Sequence, residues 1–288
     1  MDRRSVGVVG LGLLGSALAE RFLGSGLSVV GYDVNPERHR ALAGLGGRCA
    51  GSAGEVARAC GRLVLSLPTT GVVESVLGEA AADLRAGLVV MDTTTGDPEQ
   101  TAAVGARLAT GGVRYVDATI AGSSEQARAA QAVVMAGGER TTCEACADLF
   151  DCFARQWFYL GPWGSGARMK LVVNLVLGLN RAALAEGLAF ARACGLDPAE
   201  ALRVLQAGPA AARVMDVKGR KMIEHDFRTQ ARVEQHLKDV RLILAEAERA
   251  GARVPLSERH RELLQRVVDA GLGDADNAAI IRAFEDGR

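Results

Sequence analysis

Two groups of residues in this chain have the types and spacing to do chemistry. The first is Gly10-Leu11-Gly12-Leu13-Leu14-Gly15, a G-x-G-x-x-G pattern, with Asp33 placed 18 residues after its last glycine. In such a pattern the first glycine permits a tight turn, the second lets backbone approach a pyrophosphate, and the third lets a helix pack closely on a strand. A helix starting there turns its free N–H groups and the positive end of its dipole toward phosphate. Asp33, with Val34 and Asn35 beside it, could accept hydrogen bonds from the adenosine ribose hydroxyls. A carboxylate there would repel a 2′-phosphate and so favours NAD, although Arg38 and Arg40 stand close enough in the chain to keep NADP admissible. The plain alternative is a packing turn; the position between a strand and a helix favours the dinucleotide.

The second group is Lys170 and Asn174, four residues apart and so stacked on one face of a helix. Leu171, Val172, Val173, Leu175, Val176 and Leu177 surround them, a run expected to be buried on several sides. Burial pushes a lysine pKa down toward the range useful for proton transfer. A lysine paired with a carboxylate at a domain junction, or one whose head reaches water, fits these residues equally well. His236, two places before Lys238, could touch substrate, but a histidine on a helix face is more often packed or solvated. Cys143-x-x-Cys146 with Cys152 suggests a metal or redox site. It lacks a nearby fourth ligand, and the helix expected over Glu139 to Phe153 puts Cys143 and Cys146 on one face as small apolar residues, so no metal is expected.

These residues need elements to hold them, and the first half of the chain alternates between two kinds. Apolar runs at Val6 to Gly10, Leu27 to Tyr32, Leu63 to Leu67, Leu88 to Met91 and Val113 to Val116 read as strands, with shorter ones at Ala132 to Met135 and Trp157 to Leu160. Helical spacing separates them, as over Leu13 to Gly24 and after Asn35-Pro36-Glu37. Strands alternating with helices mean βαβ units and a mostly parallel sheet. After Gly161-Pro162-Trp163-Gly164 the pattern changes. A helix of about 28 residues is expected from Ala167 to Cys194, stopped by Gly195. Further helices follow at Pro198 to Gln206, Ala211 to Ile223, Val233 to Ala250, Ser257 to Ala270 and Asn277 to Phe284. The expected architecture is a Rossmann-type α/β domain over residues 1–162 and an all-α substrate or dimerisation domain over 163–288, joined by the long helix.

Composition excludes other classes. The 288 residues carry 34 basic and 34 acidic side chains, a balance unlike the basic stripe of a nucleic-acid binder, and aromatics at 4% are too few for base-stacking platforms. Six scattered cysteines do not make a disulfide scaffold and point to reduced thiols in a cytoplasmic protein. Asp2-Arg3-Arg4 before the run Ser5 to Ala19 imitates a secretory signal, but Gly7, Gly10, Gly12 and Gly15 interrupt it. No membrane span is expected, because Asn174 and Asn180 interrupt the best apolar stretch.

The chain resembles the β-hydroxyacid dehydrogenase family, which includes 3-hydroxyisobutyrate dehydrogenase and tartronate semialdehyde reductase. The resemblance covers nearly the whole chain: the glycine loop, Leu67-Pro68, Asp92-Thr93-Thr94-Thr95-Gly96-Asp97-Pro98, Asp117-Ala118-Thr119-Ile120-Ala121-Gly122-Ser123, Lys170 to Asn174, and Lys238-Asp239. It implies hydride transfer between a nicotinamide cofactor and a small β-hydroxyacid or the matching aldehyde or keto acid. Lys170 would be the general acid/base and Asn174 would orient it and the substrate. Leu67, Pro68 and Thr95 would flank the nicotinamide ribose, and Lys238 would reach the cofactor. Thr119, Ala121, Gly122 and Ser123 fall on the substrate segment, but with departures. Thr119 replaces a usual proline, Ala121 a serine that helps bind substrate carboxylate, and Ser123 a glycine; Thr119, Ser123 or Ser124 could supply a hydroxyl instead. Ala231 stands where relatives often carry an aromatic residue, implying an enlarged or reshaped pocket. The site is expected in a cleft at the carboxyl ends of the strands, in a homo-oligomer, dimer or tetramer. An imine reductase on the same fold is a rival that generally lacks the lysine, and a non-catalytic dinucleotide-binding module is another.

Overall fold

The computed structural model describes residues 4–285, so the charged start at Asp2 and Arg3 and the last three residues of the expected helical domain lie outside the described residues. The chain divides into two compact units between Lys170 and Leu171.

In the first unit, β1 (Ser5–Val9), α1 (Leu13–Gly24), β2 (Ser28–Tyr32), α2 (Pro36–Gly44), β3 (Arg48–Cys49), α3 (Ala53–Ala59), β4 (Arg62–Leu65), α4 (Thr70–Glu79), β5 (Val89–Asp92) and α5 (Pro98–Thr110) alternate. They continue into β6 (Arg114–Ala121), α6 (Ser124–Arg128), β7 (Ala132–Gly138), α7 (Arg140–Glu144), α8 (Ala147–Phe153) and β8 (Ala154–Gly161). The sheet order is β3-β2-β1-β4-β5-β6-β7-β8, with every pair parallel except β6 with β7. Both faces are covered, which is why the central strands read as unbroken apolar runs. Val8, Leu18, Phe22, Val64, Phe150 and Phe153 fill one side, and Val9, Val56, Leu63, Leu65, Leu77 and Tyr115 the other. Helices α2 to α6 each start with a side-chain cap, supplied by Asn35, Ser52, Thr69, Asp97 and Ser123.

Two local expectations need correction, and one strand was not expected. The strand expected to stop before Asp117 runs on to Ala121, because β7 pairs along it from Val116↔Gly138 to Ala121↔Val133. The single helix expected over Glu139 to Phe153 is two, α7 and α8, broken at Ala145 and Cys146. Strand β3, only two residues long, carries no periodic signal. Cys143 and Cys146 are buried, and burial pushes their thiols up to about 12 and about 11, so both are neutral.

The second unit is helical. It holds most of α9 (Ser165–Ala193), then α10 (Pro198–Ala207), α11 (Arg213–Glu224), α12 (Val233–Arg249) and α13 (Pro255–Val267). A 3-10 turn at Asn277–Ile281 leads into α14 (Arg282–Glu285), where one helix was expected. Leu184, Leu188, Met222, Leu237, Leu264 and Ile280 are central to its core. Lys218 is buried and ion-paired to Asp276 at 2.8 Å, and Asp276 also accepts from the N–H groups of Gln230, Ala231 and Ala278. By length and composition α9 could cross a membrane, yet Leu171, Ala182, Leu184 and Leu188 of its inner face are buried, the pattern of a core helix. It is not buried on several sides as expected: Val172 and Val176 are about half exposed, at 51% and 52%.

Candidate active site

The glycine loop joins β1 to α1. Gly10 takes φ +88°, a conformation that favours glycine, and its N–H donates to the Tyr32 carbonyl at 2.9 Å. A Cβ at Gly15 would run into the Gly10 carbonyl oxygen, whereas one at Gly12 would meet nothing within 4 Å. Gly12 is the N-cap of α1 and brings no side-chain cap. Among the described residues no side chain caps the first-turn N–H groups of α1, an arrangement that fits a pyrophosphate. The Leu11 side chain is buried in the core, so this residue can offer a ligand only backbone, while Leu13 is exposed.

Asp33 follows β2 directly, beside this loop. Its Oδ2 accepts from the Leu11 N–H at 2.7 Å and its Oδ1 from the Asn35 N–H at 2.8 Å. Each oxygen keeps a second lone pair, which fits a ribose diol. The Asp33 N–H donates to Nε2 of His39 at 3.0 Å, and Val34 is exposed. The Asn35 side chain is spent on α2, accepting from the Glu37 N–H at 2.9 Å. Leu67 and Pro68 follow β4, and Thr95 follows β5, so these candidates share the carboxyl edge of the parallel strands with the loop. The Leu67 N–H donates to Thr94 Oγ1, and the Thr94 N–H to the buried Asp92, binding the two loops together.

Lys170 is half-buried, and its Nζ donates to the Ile120 carbonyl on β6 at 2.7 Å. Three residues earlier on β6, the buried Asp117 accepts from the N–H groups of Gly164, Gly166 and Ala167, at 2.6, 3.2 and 3.4 Å. Burial pushes the Asp117 carboxyl up to about 7 in spite of these donors. Thr119, expected to offer substrate a hydroxyl, is buried with that hydroxyl donated to the Gly166 carbonyl at 2.8 Å. It ties helix to strand instead. Ala121 ends β6, the exposed Gly122 follows, and Ser123 caps α6 by accepting from the Gln126 N–H at 3.1 Å. Its hydroxyl proton is not used in that bond.

In the helical unit, the buried Asn174 donates from Nδ2 to Oδ2 of Asp239 at 2.9 Å, and Lys238 Nζ lies 3.1 Å from Oδ1 of the same carboxylate. Sequence reasoning named Asp239 only as part of the Lys238-Asp239 motif and gave it no role. One turn along α9 from Asn174, Gly178 accommodates His236 and His260, whose rings stand 5.1 Å apart and would collide with a Cβ there. His236 is therefore packed. His260 is held down to about 4 by burial first and by Arg181 second. Ala231 is exposed, with its N–H bound to Asp276 and its carbonyl accepting from the Asn277 N–H.

Comparison with known proteins fits this geometry. A family model described as the NAD binding domain of 6-phosphogluconate dehydrogenase matches residues 5–161, and one described as NAD-binding of NADP-dependent 3-hydroxyisobutyrate dehydrogenase matches 164–284. The chain is 28% identical to glyoxylate/succinic semialdehyde reductase 2, chloroplastic, of Arabidopsis thaliana, over 98% of this chain and 79% of the relative. It is also 28% identical to 2-(hydroxymethyl)glutarate dehydrogenase of Eubacterium barkeri, over 97% of this chain and 94% of that protein. A solved 3-hydroxyisobutyrate dehydrogenase from Salmonella typhimurium superposes with a TM-score of 0.90 at 26% identity, covering 96% of this chain and 99% of that one. With family models matching residues 5–161 and 164–284 and relatives aligned over nearly the whole chain, this chain belongs to the NAD(P)-dependent β-hydroxyacid dehydrogenase family.

Proposed function

We propose that this chain reduces a small carboxylate-bearing aldehyde or keto acid, or oxidises the matching β-hydroxyacid, with Lys170 as general acid/base. The observation that carries the reading is the Lys170 amine, fixed at the carboxyl end of β6 by the Ile120 carbonyl. An ammonium has three N–H donors, and the bond to Ile120 uses one of them. In the reducing direction Nζ gives its proton to the carbonyl oxygen as charge develops there, and in the oxidising direction it takes the hydroxyl proton. Bound nicotinamide supplies or accepts the hydride.

The remaining residues divide the work. Asn174, held by Asp239, presents its side-chain carbonyl oxygen for a substrate donor or for the lysine. Lys238 offers a cation to the cofactor, and Asp33 the ribose contact that favours NAD while admitting NADP. Leu67, Pro68 and Thr95 border the nicotinamide ribose. With Ala121 lacking a hydroxyl and the Thr119 hydroxyl spent on Gly166, substrate carboxylate recognition falls to Ser123 and the Gly122 backbone. The names of the two relatives, a semialdehyde reductase and a (hydroxymethyl)glutarate dehydrogenase, support an aldehyde or primary alcohol on a carboxylate chain. The helical unit would serve substrate binding and dimerisation, its exposed Val172 and Val176 being the apolar contribution, in a cytoplasmic homo-oligomer.

The test is a panel of small semialdehydes and hydroxyacids with NAD(H) and NADP(H), followed at the absorbance of reduced nicotinamide, on wild type and Lys170→Ala. Turnover in the variant should fall by about 10²–10⁴-fold with cofactor affinity retained. A variant within a few-fold of wild type removes Lys170 from the chemistry and favours a non-catalytic dinucleotide-binding module.

A further inference from the structure

The first turn of α9, just before Lys170, is fastened to β6 through a buried carboxylate. Gly164 and Ala167 donate to Oδ2 of Asp117 and Gly166 to Oδ1, while Thr119 on the same strand face returns a bond to the Gly166 carbonyl. Gly166 has no slack: a Cβ there would strike Asp117 Oδ1, the Met135 carbonyl and the Asp117 carbonyl. One turn further along α9 stands Lys170, bound to Ile120 on the same strand. Strand β6 thus grips α9 at Asp117, Thr119 and Ile120 in succession. Of these three β6 residues only Asp117 has a side chain that can change charge.

Resting on the general acid/base reading of Lys170, we propose that Asp117 is its positioning residue: the ionised carboxylate locks the first turn of α9 against β6, and protonation loosens that turn and lowers turnover. A neutral carboxyl carries a hydroxyl on one oxygen. It then accepts poorly at that oxygen and loses the charge that strengthens N–H bonds at a helix start. The groups facing Asp117 are Asp92 on β5, Tyr115 on β6 and Cys143 on α7. Burial and the neighbouring carboxylates raise Tyr115 well above its ordinary value and Cys143 to about 12, so neither changes charge near neutrality. Asp92 is raised by burial and adds to the rise of Asp117. With Asp117 itself near 7, both forms are populated at neutral pH.

The experiment uses the full chain with bound cofactor, as wild type, Asp117→Asn and Thr119→Val. Competitive labelling of the Lys170 amine with dinitrofluorobenzene, read by mass spectrometry against pH, follows the lysine without requiring a substrate. Wild type should show a step in Lys170 reactivity near pH 7 besides the amine's own titration. Asp117→Asn should lose that step, and Thr119→Val, which cuts a neutral tie at the same junction, should keep it. With any substrate found active, Asp117→Asn should lower kcat by at least about ten-fold while KM for the cofactor stays within about three-fold. A wild type without the step overturns the proposal even if Asp117→Asn fails to fold, as does a folded Asp117→Asn that keeps it. Lys170→Ala with unchanged turnover would instead defeat the general acid/base reading, and the labelling would still show whether Asp117 sets the amine.

Discussion

Two helices of this chain begin at the sheet in opposite ways. The start of α1 is left bare: its N-cap is Gly12, and among the described residues no side chain caps its first N–H groups and none lies within 4 Å of where a Gly12 Cβ would stand. The start of α9 is filled from within, because Asp117 accepts from Gly164, Gly166 and Ala167. Every helix start presents the same surplus of N–H donors and the same positive dipole end. On the proposed function, the unsatisfied start would take a ligand's phosphates, and the start satisfied by the chain's own carboxylate would serve as the mount for Lys170. The difference separates a binding corner from a positioning corner.

The largest expected contrast between the corners is in stability against pH. Only the α9 corner buries a carboxylate whose pKa is raised from 3.8 to about 7. The folded protein therefore holds that proton more tightly than the unfolded chain. The contribution to stability is complete below the ordinary carboxylate value and is lost as pH climbs through about 7. A shift of this size corresponds to about 4 kcal/mol. Denaturant unfolding of wild type and Asp117→Asn at acid and alkaline pH checks it: the wild type should lose stability relative to the variant as pH rises. A difference independent of pH would mean that Asp117 is ionised throughout, and the α9 corner would then be rigid where we expect it to be switchable. Activity and stability pull against each other here, since the ionised form that grips α9 is the form that burial penalises.

Next in size are matched glycine substitutions, one at each corner. In Gly15→Ala the new methyl meets the Gly10 carbonyl, and in Gly166→Ala it meets Asp117 and the Met135 carbonyl. Each should cost about 1–3 kcal/mol of stability through overpacking. Their functional signatures should diverge. Gly15→Ala distorts the open helix start and should weaken cofactor binding, read by quenching or transfer of nicotinamide fluorescence. Gly166→Ala should leave that affinity nearly intact and depress kcat. Equal loss of cofactor affinity in both would erase the distinction between the corners.

The binding corner was far more legible in the sequence than the positioning corner. Gly10, Gly12 and Gly15 lie within six residues, and the element that uses them is the local strand–turn–helix itself. The grip on α9 joins Asp117 to Gly164 and Gly166, 47 and 49 residues away, and no local periodicity announces such a pairing. Asp117 and Thr119 also misled the reading of β6, because polar residues in a run usually mark the end of a buried strand. Here α9 satisfies them, so the strand continues. The same limit hid the Asn174–Asp239 bond, which spans 65 residues. The fold class was readable because alternation and helical spacing recur over many residues, whereas each contact that places Lys170 or Asn174 occurs once.

Asp33→Ala tests how much of the binding corner is built for one cofactor. The substitution removes the acceptors for two backbone N–H groups, Leu11 and Asn35, together with the carboxylate proposed to bind the ribose. We expect NAD to weaken relative to NADP by about ten-fold, or 1.4 kcal/mol. Paired titrations of the two cofactors check this. An unchanged ratio would mean that Asp33 serves only to hold the loop.

The smallest effect is expected at Asn35, which lies between the two kinds of use. It stands beside Asp33 among the cofactor candidates, yet its side chain already accepts from the Glu37 N–H as the cap of α2. If that bond is its main employment, Asn35→Ala should cost about 1 kcal/mol of stability, the ordinary value for a lost cap. Its effect on NAD affinity should be smaller than that of Asp33→Ala, because the Asn35 N–H that steadies Asp33 is backbone and survives the substitution. Thermal unfolding with and without NAD separates the two. A Tm drop of equal size in both conditions assigns Asn35 to the fold, and a larger drop with NAD present assigns part of it to the ligand. Within one corner the polar side chains would then divide as the helix starts do, with Asn35 satisfying an N–H donor of the chain and Asp33 keeping lone pairs for what binds there.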